Sequence, residues 1–281
     1  MKRNTNASFE KVLQAADDHR AVEASNGRHM IQRRTVLASA ALLLVSVLRP
    51  VVAQEAVTKT TYVVVHGAWG GGWDWRTVSD LLTSRGHRVF RPTLTGLGER
   101  AHLASPDIGL DTHILDIVNT IRYENLRDVT LVGHSYGGMV ITGVADRIPD
   151  RIAHLAYVDA FVPENGESVM GLAAVRGATT PGQVQGGFMV PSWVKPGTVP
   201  PMDVPQPLKT FSEPITLKNP LRERIPTTFI LTVDRGADTD AFDMFAARAK
   251  AKGWLVQRLT ADHNAQRSAP NELCTLLEHV R

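Results

Sequence analysis

The chemistry of this chain centres on Ser135, held in Gly133-His134-Ser135-Tyr136-Gly137 and followed by a third glycine, Gly138. The apolar run Val129–Val132 precedes it, and Tyr136–Ile148 carries a helical pattern after it. A serine between strand and helix sits on a sharp turn whose backbone angles normally cost free energy. Glycines two residues before and after leave room for neighbouring chains, and the turn lifts the hydroxyl above the ends of the strands. The helix N-terminus behind it favours negative charge developing there. This pattern predicts a nucleophile.

Serine is a weak nucleophile at neutral pH and needs a base, an acid to orient the base, and donors for the oxyanion. For a serine in this strand–turn–helix setting the chain order is serine, acid, histidine. His263, in Thr260-Ala261-Asp262-His263-Asn264, follows the last expected strand and is the expected base; His279, three residues from the end on a helix, reads as solvated. The acid is expected after the strand Thr227–Val233, where Asp234, Asp238 and Asp240 all lie. Asp238, in a loop with Gly236 and Ala237, is the preferred choice because it has most freedom to reach a histidine. Asp240 is an alternative that can cap the next helix, Asp234 ends the strand directly, and Asp159, after an earlier strand, reads as structural. The oxyanion donors expected are the backbone N–H of Tyr136 and that of Ala68 in the glycine-rich loop His66–Trp73. That loop has neither the G-x-G-x-x-G spacing nor the lysine of a phosphate-binding loop, so no nucleotide site is read there.

The elements that must position these residues alternate in type. Strands are predicted at Thr61–Val65, Arg88–Arg91, Val129–Val132, Ile152–Val158, Thr227–Val233 and Leu255–Leu259. Helices are predicted at Trp75–Arg85, Leu110–Tyr123 and Tyr136–Ile148; in the second, Ile114, Ile117, Val118 and Ile121 are spaced i, i+3, i+4, i+7. Short apolar strands alternating with helices predict an α/β fold, a mostly parallel sheet with helices on both faces. About sixty residues from Pro163 to Ile225 break the rhythm, with several prolines and with Met170, Met189, Met202 and Trp193. A stretch this long predicts a binding element, here a partly helical cap at about 163–215, with Trp193, Met189 and Phe188 shaping an apolar pocket.

Composition excludes other classes. The net charge is +3 over 281 residues, yet residues 1–53 hold eight Lys/Arg against four Asp/Glu, leaving 23 basic and 24 acidic residues beyond them. The body therefore has no basic footprint for nucleic acid. One cysteine, Cys274, allows neither an internal disulfide nor a multi-cysteine metal site, and helical spacing with Leu273, Leu276 and Leu277 makes it an apolar core residue. No metal or organic cofactor is expected.

Residues 1–53 read as an address. Arg33-Arg34 stand before the apolar run Val36–Leu48, and Val51-Val52-Ala53-Gln54 offers a small-residue cleavage site. The apolar run spans only about 20 Å as a helix, too short for a membrane core of about 30 Å. The paired arginines resemble a twin-arginine signal, which predicts export to the periplasm or medium, with no stable membrane span once the signal is removed. Met30, just ahead of them, is a natural start of translation. The fold is expected in residues 54–281.

With these residues in place, the chain resembles the α/β-hydrolase superfamily, and within it the group of EstC-like bacterial esterases, plant methyl esterases and hydroxynitrile lyases. The similar stretches are Val63–Trp75, Pro92–Leu103 with Thr95-Gly96-Leu97-Gly98-Glu99-Arg100, Leu131–Gly138, Tyr157–Glu167 and Pro207–Pro214. The resemblance implies the α/β-hydrolase fold, Ser135 and His263 as the catalytic pair, Ala68 and Tyr136 as oxyanion donors, and the segment after Phe161 as the cap. It also widens the expected substrate from a small carboxylic ester to carbamates. The segment Asp234–Asp240 does not align cleanly with the family pattern, so the acid stays open at this point. A hydroxynitrile lyase is the alternative activity, but lyases of the rubber-tree type carry threonine at Gly67 and lysine at Asn264. A non-catalytic small-molecule sensor on the same fold is the alternative from another class. Turnover separates it from an enzyme.

Overall fold

The computed structural model describes residues 59–175 and 182–280. The expected leader, its cleavage site and the start at Met30 lie outside the described residues. Six strands form one parallel sheet: β1 (Thr61–Val65), β2 (Arg88–Phe90), β3 (Val129–His134), β4 (Ile152–Val158), β8 (Thr227–Val233) and β9 (Leu255–Thr260). Their order is β2-β1-β3-β4-β8-β9. The chain leaves β1 toward β2 on one side and returns to β3 on the other, so β1 and β3 are neighbours at the point where the order reverses. Crevices beyond the carboxyl ends of strands at such a reversal are where open α/β sheets bind ligands.

Period-2 alternation divides the strand side chains between two cores. Val63, Val65 and Leu131 face one side with α2 (Leu110–Tyr123) and α3 (Gly137–Arg147). Tyr62, Val64 and Val132 face the other, against α1 (Arg76–Ser84) and α8 (Pro270–Glu278). The central strands β3 and β8 are buried along their whole length because both faces are covered. Cys274 lies fully buried in α8, and His279 is exposed. Two further helices follow β8 in the chain: α6 (Asp243–Ala251), packed on β8 and β9, and the single turn α7 (Ala265–Ser268). Among the described residues no helix is long and apolar enough to cross a membrane.

Between β4 and β8 the chain forms the helix α4 (Val169–Val175), three short strands, and the turn of helix α5 (Lys209–Ser212). The strands β5 (Gln183–Gln185), β6 (Phe188–Val190) and β7 (Gln206–Pro207) make an antiparallel sheet of their own. The two helices agree with the expectation of a partly helical cap, and the small sheet beside them is the part that the sequence did not predict. Strands of two or three residues are too short to leave an alternation in the sequence.

Candidate active site

The strand register assembles the site. Gly133 lies opposite Val65, so the loop after β1 runs beside the turn after β3. His134 lies opposite Val158, which brings Ser135 next to Asp159 just past the strand ends. Ser135 has φ 53° and Asp159 φ 43°, both left-handed, a conformation that costs roughly 1–2 kcal/mol for a residue with a Cβ. The neighbouring backbone holds Ser135 there. Its N–H donates to Val158 O (3.3 Å), and its carbonyl accepts from Gly138 N (3.0 Å) and Phe161 N (3.1 Å). The flanking glycines are required by space, since a Cβ on Gly133 would lie 2.7 Å from Gly137 O and one on Gly137 2.6 Å from Val65 O.

Ser135 Oγ–H donates to His263 Nε2 at 3.0 Å. On the other edge of the ring, His263 Nδ1–H donates to Asp159 Oδ2 at 2.6 Å. The carboxylate can only accept, which puts the ring proton on Nδ1 and leaves Nε2 free to take the serine proton. Thr232 N–H donates to Asp159 Oδ1 (3.2 Å), so both carboxyl oxygens have partners. Asp159 is fully buried. Burial pushes its carboxyl above the usual carboxylate range, and the hydrogen bond from His263 opposes that shift. The ring of His263 is stacked on Phe242 (4.9 Å, 14°), and its carbonyl accepts from His134 Nε2–H at 2.7 Å. Burial keeps His134 well below its ordinary range, and so neutral.

Asp238, the expected acid, stands apart from this line. It is exposed in the loop after β8, and its carbonyl is 3.5 Å from the Arg258 guanidinium. Asp234 is also exposed, and its carbonyl accepts from Ala237 N in a turn. Asp240 Oδ1 accepts from Phe242 N–H at 2.7 Å, which sets the ring that stacks on His263. Asp159 is the residue that meets His263. The signal available in the sequence was its place at the end of Ile152–Val158; what decides the matter is the register of β3 on β4, which sequence does not display.

Ala68 and Tyr136 both line the cavity beside Ser135. Among the described residues neither backbone N–H has a protein acceptor, so both are available to an oxyanion. The cavity measures about 580 Å³. Trp69, Tyr136, Phe161, Phe211, Phe242 and Trp193 form much of its wall, with Asp74, Asp203, Asp240, Asn264 and Arg267 among its polar groups. Arg267 is ion-paired with Asp74, which spends its charge. Of the three cap residues expected at the pocket, Trp193 reaches it. Met189 is buried behind, its carbonyl accepting from the Trp69 indole (3.0 Å), and Phe188 does not line the cavity. Among the described residues no group of three or more His, Cys, Asp or Glu could hold a metal ion.

The model of the alpha/beta hydrolase family matches residues 62–275. The carbendazim hydrolyzing esterase of Nocardioides sp. (strain SG-4G) is 41% identical over 242 residues, covering 77% of this chain and 97% of that protein. The pyrethroid hydrolase of Sphingobium wenxiniae is 31% identical over 155 residues, 54% of this chain and 48% of that one. Among solved structures, an extracellular alpha/beta-hydrolase from a Paenibacillus species superposes with a TM-score of 0.61 at 22% identity, covering 78% of this chain and 97% of that chain. A strand–serine–helix turn on a parallel sheet, matched over most of the chain, therefore has a family: this protein belongs to the alpha/beta hydrolases and is an esterase, a carboxylic ester hydrolase.

Proposed function

We propose that the protein is a serine hydrolase that cleaves a small uncharged ester or carbamate carrying an aromatic group, through an acyl-enzyme. The observation that carries this reading is the unbroken line Ser135–His263–Asp159, with the free N–H groups of Ala68 and Tyr136 beside its nucleophilic end. His263 takes the Ser135 proton as Oγ attacks the carbonyl, and the oxyanion lies on those two N–H groups. The alcohol leaves with the proton from His263; water, activated by the same ring, then hydrolyses the acyl-enzyme. Asp159 keeps the proton of the neutral ring on Nδ1 throughout.

The aromatic preference rests on the cavity wall. Trp69 and Trp193 meet edge to face at 5.0 Å, and Phe211 lies 5.4 Å from Trp69, so a flat ring would find apolar contact on several sides. The carbamate reading rests on the similarity to the carbendazim hydrolyzing esterase. The lyase alternative fits less well: a Cβ at Gly67 would come 2.9 Å from His134 Nδ1 and 3.2 Å from Ser135 Cβ, so a threonine has no room without rearrangement. Export through the basic and apolar leader is part of the same proposal, and N-terminal sequencing of the mature protein tests it.

Hydrolysis of p-nitrophenyl acetate and of carbendazim by residues 54–281 tests the reaction. Saturable turnover is expected, and Ser135→Ala is expected to lower kcat by about 10⁴–10⁶. A folded alanine variant within tenfold of wild type would remove Ser135 from the mechanism. Folded wild type without turnover on either substrate would favour the sensor reading.

A further inference from the structure

Resting on the serine-esterase reading, we propose that Gln206, a residue of the cap, is a positioning residue of the oxyanion hole, holding the Ala68 N–H on its target through the backbone of Trp69.

The peptide that carries the Ala68 N–H is fixed from both ends. On the near side, Leu94 N–H donates to His66 Nε2 (3.1 Å), which leaves the ring proton on Nδ1, and that proton goes to Gly67 O (2.8 Å). In a trans peptide the carbonyl and the N–H point opposite ways, so anchoring Gly67 O turns the Ala68 N–H away from His66. On the far side stands Trp69, with φ 62°, a left-handed conformation that a bulky side chain rarely adopts. Its N–H donates to Gln206 Oε1 at 2.7 Å, its carbonyl accepts from Val204 N at 2.9 Å, and its indole N–H donates to Met189 O at 3.0 Å. All three partners belong to the cap. The hydrolase core supplies Ala68, and the cap holds the residue after it in the conformation that aims it.

Gln206 is itself fixed. Its Nε2–H donates to Thr210 Oγ1 (2.7 Å), whose own hydrogen goes to Pro207 O (2.8 Å), and both side chains are fully buried. This orientation presents Oε1, not the amide nitrogen, to Trp69. The second donor residue is locked in a comparable way. Tyr136 OH donates to His113 Nδ1 (2.9 Å) because His113 Nε2–H is committed to Thr95 O (3.0 Å). Phe211, one residue past Thr210, lies 5.8 Å from the Tyr136 ring. The segment 206–211 thus touches both halves of the oxyanion hole.

The test compares Gln206→Leu, Gln206→Glu and Thr210→Val with wild type and Ser135→Ala on p-nitrophenyl acetate. Inhibition by an aryl trifluoromethyl ketone, which binds as its oxyanion adduct, and thermal unfolding are measured beside turnover. Gln206→Leu keeps the volume and removes both polar atoms; kcat is expected to fall roughly 10–100-fold, as misplacement of a reacting group does, with KM within threefold. Affinity for the ketone falls by a similar factor, and Gln206→Glu, which keeps an acceptor for Trp69 N–H, recovers part of both losses. Thr210→Val, the milder change, lowers kcat severalfold at constant KM and decides the matter if Gln206→Leu does not fold. Folded Gln206 and Thr210 variants with kcat within twofold of wild type, or with only KM raised, overturn the positioning role while leaving the esterase reading intact. Activity that survives Ser135→Ala overturns the esterase reading instead.

Discussion

Two loops of this molecule carry the aspartates that could orient His263, and they differ in what surrounds them. The loop after β4 places Asp159 in a fully buried position, its N–H bonded to Ile230 O at 2.8 Å and its carboxyl between His263 and Thr232. The loop after β8 leaves Asp234 and Asp238 exposed and Asp240 half-buried. Conformational freedom alone favours the second loop. The structure favours the first, because a carboxylate that must hold an imidazole in one orientation has to be held itself. Freedom lets a side chain reach a partner, but every excursion away from it is an entropy cost at each encounter.

The largest effect expected from this contrast is that of Asp159→Asn. The amide leaves the shape nearly unchanged but can stabilise the wrong tautomer of His263, and kcat should fall by about 10⁴. Loss of less than tenfold would break the contrast. The same substitution should raise the unfolding temperature at neutral pH. Burial raises the folded carboxyl's pKa, so its contribution favours the fold at acid pH and is lost as pH rises through that value. Asparagine never ionises, so its advantage should narrow toward about pH 4, as read by unfolding curves between pH 4 and 8.

A second pH effect runs the other way and sharpens the comparison of buried with exposed groups. Burial lowers His66, His113 (to about 3) and His134. Each is neutral in the fold but takes a proton in the unfolded chain, so stability should fall below about pH 6.5, by at most roughly 1.4 kcal/mol per pH unit per histidine. Replacing His113 with Gln should flatten that slope in calorimetry; an unchanged slope would assign the acid sensitivity elsewhere.

Smaller effects belong to the outer loop. Asp240→Ala removes the acceptor that fixes Phe242 N–H and is expected to cost about 1 kcal/mol of stability with a severalfold loss of kcat, because Phe242 backs the His263 ring. Asp238→Asn should leave kcat within twofold. A loss near that of Asp159→Asn would restore Asp238 as the acid.

Much of this was legible in residue order. The alternation of apolar runs and helical spacing marked all six strands of the main sheet, and α2 falls on Leu110–Tyr123 as its pattern predicts. Ser135 and His263 were legible because local pattern and chain order identify them. The small cap sheet was not, and neither was Gln206, a glutamine among prolines whose role depends on residues 137 positions away.

The sequence by itself pointed to Ser135 and His263, and it determined the parallel α/β architecture and the near balance of 23 basic and 24 acidic residues beyond residue 53. Each depends on local spacing or on composition, which survive in the unfolded chain. Only the tertiary structure decided which aspartate meets His263, how the loop carrying Ala68 is held and which residues wall the pocket. Each of those depends on strand register or on a contact between distant segments: Val158 beside His134 puts Asp159 next to Ser135, and the cap's return to Trp69 fixes the loop that carries Ala68. Registers and long-range contacts are chosen by the packing of the whole core.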